Sequence, residues 1–598
     1  MPNTEYTIAV LPFANRSPDP EQGYFCDGIT EEIINALAGI EPLRVTSRTS
    51  SFQFKNPKRP LREIARELGV AVILEGSVRL RGKTVRISAQ LVQAEEDFYF
   101  WSESWDRQLD DIFAIQDEIS LLIAEKLREQ FGHFEIEEQL VRPQTESLDA
   151  YACSLKARYY FNKWNPEDAE QARQLYEKAL ELAPRHTESL VGLADVYGFL
   201  ATTEFMDRTE GWQKAAAYTQ QALQLNQHSP GAHYQLANLA FFTDCDFRQA
   251  CIHTQSALDI RPNYPEARQF MAFLHTLEGQ PELASRHLSH ALMIDPLSPE
   301  TLFYKAYFDY RQRDYAGALR QLEHLLRQNP RNLPAYITKC YCLLKLHRYQ
   351  DALDFLGQVP DEIAVAGDGL GITCLAHTLS GKTEEAGQAF AELQRMADSP
   401  HAFQAHSYLF LAYANQHQPD AAFDWLEKAM QWKSSVLLLG FSDPLSEPLW
   451  QDPRYARFQK QLYRRSAPSG SKPDKSPLLD EDSAAGFREL LLAYMESDTP
   501  YLSPSLSLRE LAGRIELHPN KLSWLLNETL QQNFNTFVNR YRVEHFKRLA
   551  LDPANHHISL LGLAYESGFN SKTVFNTYFK KETGLSPRAY LQQNGSDL

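Results

Sequence analysis

The chain has 598 residues, 43% hydrophobic and 23% charged, which excludes a wholly disordered polymer and supplies enough length for several separate cores. Lys and Arg number 60 against 77 Asp and Glu, a net charge of −17, and a chain so acidic on average is not one that holds nucleic acid over its whole surface. The average conceals a reversal: residues 501–598 carry 11 Lys/Arg and 8 Asp/Glu, or +3, leaving −20 on residues 1–500, so a polyanionic partner belongs to the C-terminal end.

The seven cysteines (Cys26, Cys153, Cys245, Cys251, Cys340, Cys342, Cys374) are scattered and contain no C-x-x-C pair, the pattern of reduced intracellular thiols and not of a disulfide framework or a zinc site. The start, MPNTEYTIAVLPFANRSPDP, lacks a basic segment, and its apolar run stops at Pro12. No stretch approaches the ~20 apolar residues of a membrane span; Val436 to Phe441 is the most continuous. The expectation is a soluble, cytoplasmic protein without a membrane partner.

In chain order, TIAVLP (7–12) predicts a buried strand, Thr30–Leu37 a helix with Ile33, Ile34 and Leu37 on one side, LRVTS a strand and Leu61–Leu68 a helix. VAVILEGSVRL and VRISAQLVQ, joined at Gly82-Lys83, read as a hairpin, and Trp101 and Trp105 precede a helix from about Ile112 to Phe131. The alternation predicts one α/β domain, residues 1–135. The letters IAVLPFANRSPDPEQGYFCDGITEEI, LGVAVILEGSVRLRG and DIFAIQDEI resemble the small α/β domain similar to TolB and FlgO, which implies a place in bacterial signalling proteins and no defined chemistry. Asp27, Glu31 and Glu32 have the composition of an acid/base pair, but at a helix start carboxylates favour the dipole and solvent. No Ser/His/Asp, metal or phosphate-cradling constellation occurs, so no catalytic residue, metal ligand or cofactor is assigned.

The middle of the chain repeats. Ala172, Ala215, Ala250, Ala284, Ala318, Ala352, Ala386 and Ala422 are separated by 43, 35, 34, 34, 34, 34 and 36 residues. Seven residues on stand Ala179, Ala222, Ala257, Ala291, Leu325, Val359, Leu393 and Ala429, and twelve on from four of them Pro184, Pro262, Pro296 and Pro330. Small residues at this period suit two antiparallel helices per unit that cross closely, with proline starting the next unit. The pattern resembles the tetratricopeptide repeat over residues 150–463, about eight units, with an insertion near Thr202–Glu210. That implies an all-α solenoid with a concave groove for a protein or peptide partner, approached by side chains such as Tyr234, Arg268 and Tyr336. Cys340 and Cys374 fall at small-residue positions. Gly367-Asp-Gly369-Leu-Gly371 looks like a shortened nucleotide loop, but here it joins two repeat helices without the strand such a loop needs. Residues 464–483 have a Ser/Pro/Lys/Asp linker composition that lets the C-terminal module move.

From Leu506 two helix-turn-helix patterns follow in tandem. In LSLRELAGRIELHPNKLSWLLNETL, Leu508, Leu511, Ala512, Leu522, Leu525 and Leu526 form a buried stripe and His518-Pro519 opens the second helix. In ISLLGLAYESGFNSKTVFNTYFKKETGLSPRAY, Ala564 marks a close helix crossing, Gly568 permits the turn, Phe569 plugs the core, Asn570 or Ser571 caps the next helix, and Phe575 and Phe579 pack. Phe534–Leu551 links the two. Residues 484–598 resemble the DNA-binding domain of AraC/XylS-family transcription regulators, most specifically in LAYESGFNSKTVFNTYFKKETGLSPRAY. The resemblance implies two helices in successive major-groove segments of double-stranded DNA. By position it implies contacts from Pro519, Asn520, Lys521, Ser523, Trp524 and Asn527 in the first, and from Asn570, Ser571, Lys572, Thr573, Asn576, Thr577, Lys580 and Lys581 in the second. Trp524 and Thr577 stand where the family often has Arg, which removes bidentate guanine reading there; Asn576 can read adenine.

The sequence thus predicts a multidomain protein: a small α/β domain, an all-α tetratricopeptide-like solenoid and an all-α tandem helix-turn-helix domain. It reads as a non-enzymatic, sequence-specific transcription regulator whose first two parts supply sensory or protein-interaction input. The alternative is a repeat-based scaffold whose C-terminal domain lacks specific DNA recognition. One regulatory expectation follows from charge: the acidic bulk of the chain, when docked on the basic module, competes with phosphate for its lysines.

Overall fold

The computed structural model describes residues 6–17, 23–41, 43–55, 59–82, 84–108, 112–141, 147–399, 402–463 and 478–594. The chain forms two compact units, one of residues 1–46, 54–142 and 470–598, the other of 47–53 and 143–469. The sequence-distant ends of the chain therefore share a unit. Residues 464–477 of the expected linker, and Lys83, lie outside the described residues.

The first unit opens with a mixed sheet, β1 (Thr7–Val10), β2 (Ala14–Asn15), β3 (Arg44–Val45), β4 (Val72–Arg81), β5 (Thr84–Gln93) and β6 (Phe98–Gln108), in the order β3-β1-β4-β5-β6 with β2 pairing β4. β1 runs parallel to β3 and β4, whereas β4, β5 and β6 are antiparallel. The helix Leu61–Leu68 stands where the sequence puts it, closed by Gly69 in the left-handed conformation. The helix expected over Thr30–Leu37 starts earlier, at Gly23; the glycines in GYFCDG lower helix propensity, which is why its first turns carry no helical signal in the sequence. Glu31 and Glu32 are consequently mid-helix and buried, which corrects their assignment to a solvated helix start. Asp27 pairs with Lys55 at 2.7 Å.

β6 is a strand the sequence reading missed. Trp101 and Trp105 lie within it, and its alternation is faint because one face of this edge strand is largely in water: Tyr99 is exposed while Phe98 and Trp105 are buried.

In the second unit, among the described residues, eight helix hairpins follow one another from Leu148 to Gln431, and the eight spaced alanines are buried in the second helix of each. The insertion near Thr202–Glu210 is absorbed by longer helices, Thr187–Thr202 and Arg208–Leu225, and not by a loop. Pro184, Pro262, Pro296 and Pro330 sit in the turns between units; the prolines that begin helices are others, such as Pro230, Pro265 and Pro299. The glycine run 367–371 lies inside the helix Ala366–Leu379, a correction to its reading as a junction: a Cβ at Gly371 would stand 2.0 Å from the Tyr408 ring, so glycine there permits close helix crossing. All seven cysteines are free, and Cys340 and Cys374 are enclosed at their small-residue positions.

The solenoid curls upon itself. Asn329 donates to the Lys163 carbonyl at 2.9 Å, and Arg208 meets Ser435 Oγ at 2.7 Å with its guanidinium 3.9 Å from the Phe403 ring centre. The terminal segment enters the concave side: Tyr310 Oη donates to Asp443 at 2.7 Å, Arg311 to the Ser442 carbonyl at 2.6 Å, and Phe247 meets Tyr463 edge-on at 5.2 Å. The groove expected from stacking alone is therefore narrowed to a cavity that remains partly open to solvent. Of the side chains expected to approach it, Tyr234 lines it, Arg268 folds back on the Pro262 carbonyl, and Tyr336 stacks on Phe355.

Candidate nucleic-acid interface

The C-terminal region is built as the tandem pattern predicts. Ser507 caps Leu508–Arg514, and the His518 ring accepts from the Asn520 N–H at 3.2 Å to open the short helix Pro519–Trp524. Leu508, Leu511, Ala512, Leu522, Leu525 and Leu526 form one core with Phe534 and Phe537 from the linking helix Phe534–Leu551. The second half centres on Phe546, whose ring lies 4.6 Å from Phe575 and 5.3 Å from Phe579, with Phe569 enclosed beside them. Ser571 stands at the cap position of Lys572–Thr583 but makes no capping bond through its side chain.

One residue the sequence reading passed over ties the halves together. Arg542, on the linking helix, donates to the Tyr501 carbonyl and the Ser503 carbonyl, both at 2.7 Å, and to Asn539 at 3.1 Å. Burial pushes its guanidinium down to about 10. No periodic signal marks it, because its partners are carbonyls some forty residues away.

The two candidate reading helices differ in what surrounds them. On Lys572–Thr583 the apolar face of Phe575, Tyr578 and Phe579 is buried, while Lys572, Thr573, Asn576, Lys580 and Lys581 are exposed together with Asn570 just before it; Ser571 and Thr577 are half-buried. This is one polar, basic face on a packed helix. Thr577 and Lys581 also border a cleft of about 650 Å³ shared with Arg62, Arg66 and Glu96 of the α/β region.

The first helix is covered. Asn520 accepts a hydrogen bond from Arg128, and the N–H and C=O of Ile136 flank its amide at 3.5 and 3.4 Å. Gly132, at φ +120°, lies so close to Asn527 that a Cβ there would be 2.6 Å from its Oδ1. Glu129 accepts from the Leu508 N–H at 2.9 Å, Arg509 pairs with Glu125 at 2.5 Å, and Asn533 donates to the Gln130 carbonyl at 2.8 Å. Arg128 is 2% exposed, and burial pushes it down to about 10. Positions 520, 523, 524 and 527 share one helix face. Ser523 on that face is 1% exposed, which corrects its placement as an outward contact; beside it, Asn520 and Asn527 are met by Arg128, Ile136 and Gly132. Pro519 and Trp524 are half-buried, Trp524 against the first core, and Lys521 is exposed.

Among the described residues no three His, Cys, Asp or Glu side chains are grouped to hold a metal ion, and no helix is long and apolar enough to cross a membrane.

Residues 511–593 match a helix-turn-helix domain family, residues 4–122 the second domain of HilA/YgeH-like transcriptional regulators, and residues 282–359 subunit 3 of the anaphase-promoting complex, or cyclosome. A putative adenylate cyclase 3 of Rhizobium meliloti is 36% identical over 236 residues, 39% of each chain. An uncharacterized HTH-type transcriptional regulator of Escherichia coli, YijO, is 32% identical over 101 residues, 17% of this chain and 34% of that protein. The chain thus spans roughly a third to two-fifths of the length of these relatives. Among solved structures, a tetratricopeptide repeat protein from Parabacteroides merdae aligns over 48% of this chain and 100% of its own at 14% identity, TM-score 0.28.

Proposed function

We propose that the protein is a DNA-binding transcription regulator of AraC/XylS type, with the α/β domain, similar in pattern to TolB and FlgO, and the repeats as its input. The observation that carries the reading is the second helix, whose buried Phe575 and Phe579 turn Asn576, Lys572 and Lys580 outward on a rigid helix-turn-helix core. The helix-turn-helix family match and the regulator relatives support it. The cyclase name belongs to the Rhizobium protein, with which the chain aligns over 39% of its length.

Full-length protein titrated with promoter duplex and with random duplex at several salt concentrations tests it. Lys580→Glu with Lys581→Glu is expected to weaken binding to both and flatten the salt slope, whereas Asn576→Ala should cost about 1–3 kcal/mol at one base pair only. Equal loss on both duplexes for Asn576→Ala removes it as a base reader, and no preference for any promoter sequence sinks specific recognition.

In this reading the cover over Asn520 and Asn527 is the brake. DNA cannot meet the first helix until Ile112–Phe131 withdraws, so input that favours the undocked form raises the fraction competent to bind. Glu125→Lys sets two positive charges against each other at Arg509 and leaves the outward residues untouched. The variant is expected to bind specific DNA roughly 3–10-fold tighter, a differential of order 1 kcal/mol. Unchanged affinity means the contact is no brake.

A further inference from the structure

The first helices of the repeats face inward and enclose a cavity of about 320 Å³. Its wall carries five carboxylates, Asp195, Glu266, Glu300, Asp368 and Asp443, among twelve aromatic rings, with no Lys, Arg or His. Asp443 is answered by Tyr310 and by the nearby Arg311. Among the described residues the other four have no ion-pair partner.

Packing explains the rings but not the acids. A helix N-terminus favours a carboxylate in its first turn, where Glu266, Glu300 and Asp368 sit, and Asp195 is in the middle of its helix; Arg158 and Arg261 act on Glu266, and Arg158 on Asp195, without pairing with them. These groups are costly as they stand. Burial pushes Asp195 and Asp368 up to about 7. Glu300 is raised well above the usual carboxylate range, first by burial and then by the charges of Glu266 and Asp195, so the acids lie near enough to repel one another. Gln235, 2% exposed and lining the cavity, sets its amide beside the Asp195 carboxylate, a neutral partner that leaves the charge of that acid unanswered. The rings form a continuous wall: Tyr234 to Phe270 at 5.9 Å, Phe270 to Phe273 at 5.9 Å, Phe273 to Tyr304 at 6.0 Å, Tyr304 to Trp164 at 6.3 Å.

Acids without counter-ions beside aromatic faces define the chemistry of the missing partner. A cation gains both the carboxylates and the ring quadrupoles in a cavity that is only partly open to solvent. A metal ion does not fit, because no three acidic or imidazole side chains converge on one point among the described residues. The acids come instead from four separate repeats, which suits several positive charges spaced along an apolar chain.

We propose that this cavity binds a small organic polycation, an aliphatic polyamine, whose ammonium groups meet Asp195, Glu266 and Glu300 and whose methylene chain lies over Tyr234, Phe273, Tyr304 and Trp164. The site is the solenoid's own and is independent of whether the C-terminal region reads DNA.

The test is calorimetric titration of the full chain with spermidine, without DNA, at physiological ionic strength. Binding is expected to saturate at one site per chain, and Glu266→Gln with Glu300→Gln should weaken it at least tenfold. Glu384→Gln with Glu385→Gln removes the same charge from an exposed helix start and should leave it within about twofold. Neutral 1,6-hexanediol should not compete. Non-saturating uptake, or equal weakening by both double variants, shows only general attraction to an acidic protein and overturns the proposal. Should the cavity double variant fail to fold, Asp195→Asn alone decides: unchanged spermidine affinity refutes the site, and a severalfold loss with an unaltered melting profile supports it.

Discussion

Gly568→Val is expected to remove DNA binding by unfolding the second helix-turn-helix half. Gly568 adopts φ +90°, and a Cβ there would stand 2.2 Å from the Tyr501 carbonyl oxygen and 3.0 Å from both Arg542 Nε and the Leu502 Cα. Those atoms cannot retreat: the Tyr501 carbonyl is held by Arg542, which also holds Ser503. Left-handed strain of about 1–2 kcal/mol and overpacking of about 1–3 kcal/mol combine to roughly 2–5 kcal/mol, a large part of a small domain's stability. Gly584 is the internal control, since its φ of +73° is similar but a Cβ there meets nothing within 4 Å. Gly584→Ala should cost only about 1–2 kcal/mol. Thermal melts of both variants check the contrast, and equal costs would mean that strain alone, without the clash, governs position 568.

The second large effect is a pH-dependent gain from Asp368→Asn. Asp368 is 5% exposed and burial pushes it up to about 7, with the Tyr408 hydroxyl acting the other way. A carboxyl whose folded value lies above its unfolded value of about 4 favours the folded state at low pH, and that contribution is lost as pH rises toward 7. At pH 8 the folded protein therefore carries an unfavourable buried charge that asparagine lacks. The variant should be more stable than the parent by about 2–4 kcal/mol at pH 8, with the gain shrinking as pH falls toward 5. The comparison must be between variant and parent. His186, His287 and His406 in the same unit are held low by burial and cost stability as pH falls below about 6.5, so the parent's own profile mixes opposing trends. A gain that is the same at pH 5 and pH 8 would show that Asp368 stays charged in the fold.

The Gly568 prediction rests on contacts with Tyr501 and Arg542, which no local pattern announces, and that marks where sequence reading stops. The 34-residue spacing of alanines and the stripes around Leu508–Leu526 and Phe569–Phe579 are local: each helix buries what its own periodicity dictates, and its neighbour in space is its neighbour in sequence. For that reason the repeat architecture, the tandem helix-turn-helix core and the outward set Asn570, Lys572, Thr573, Asn576 and Lys580 could be read before any fold was known. β6 escaped because an edge strand half in water shows little alternation.

Composition and periodicity alone specify the α/β, repeat and helix-turn-helix elements and the face that each helix buries. It took the folded chain to show that residues 1–46 and 54–142 form one unit with the last 129, that Arg128 and Asn520 meet across 392 positions, and that acids from separate repeats line one aromatic-walled space. The physical reason is that periodicity encodes whether a residue faces a core but not which partner lies on the other side. Polar contacts such as Glu129 with the Leu508 N–H have no periodicity at all, so they become visible only when the chain has brought them together.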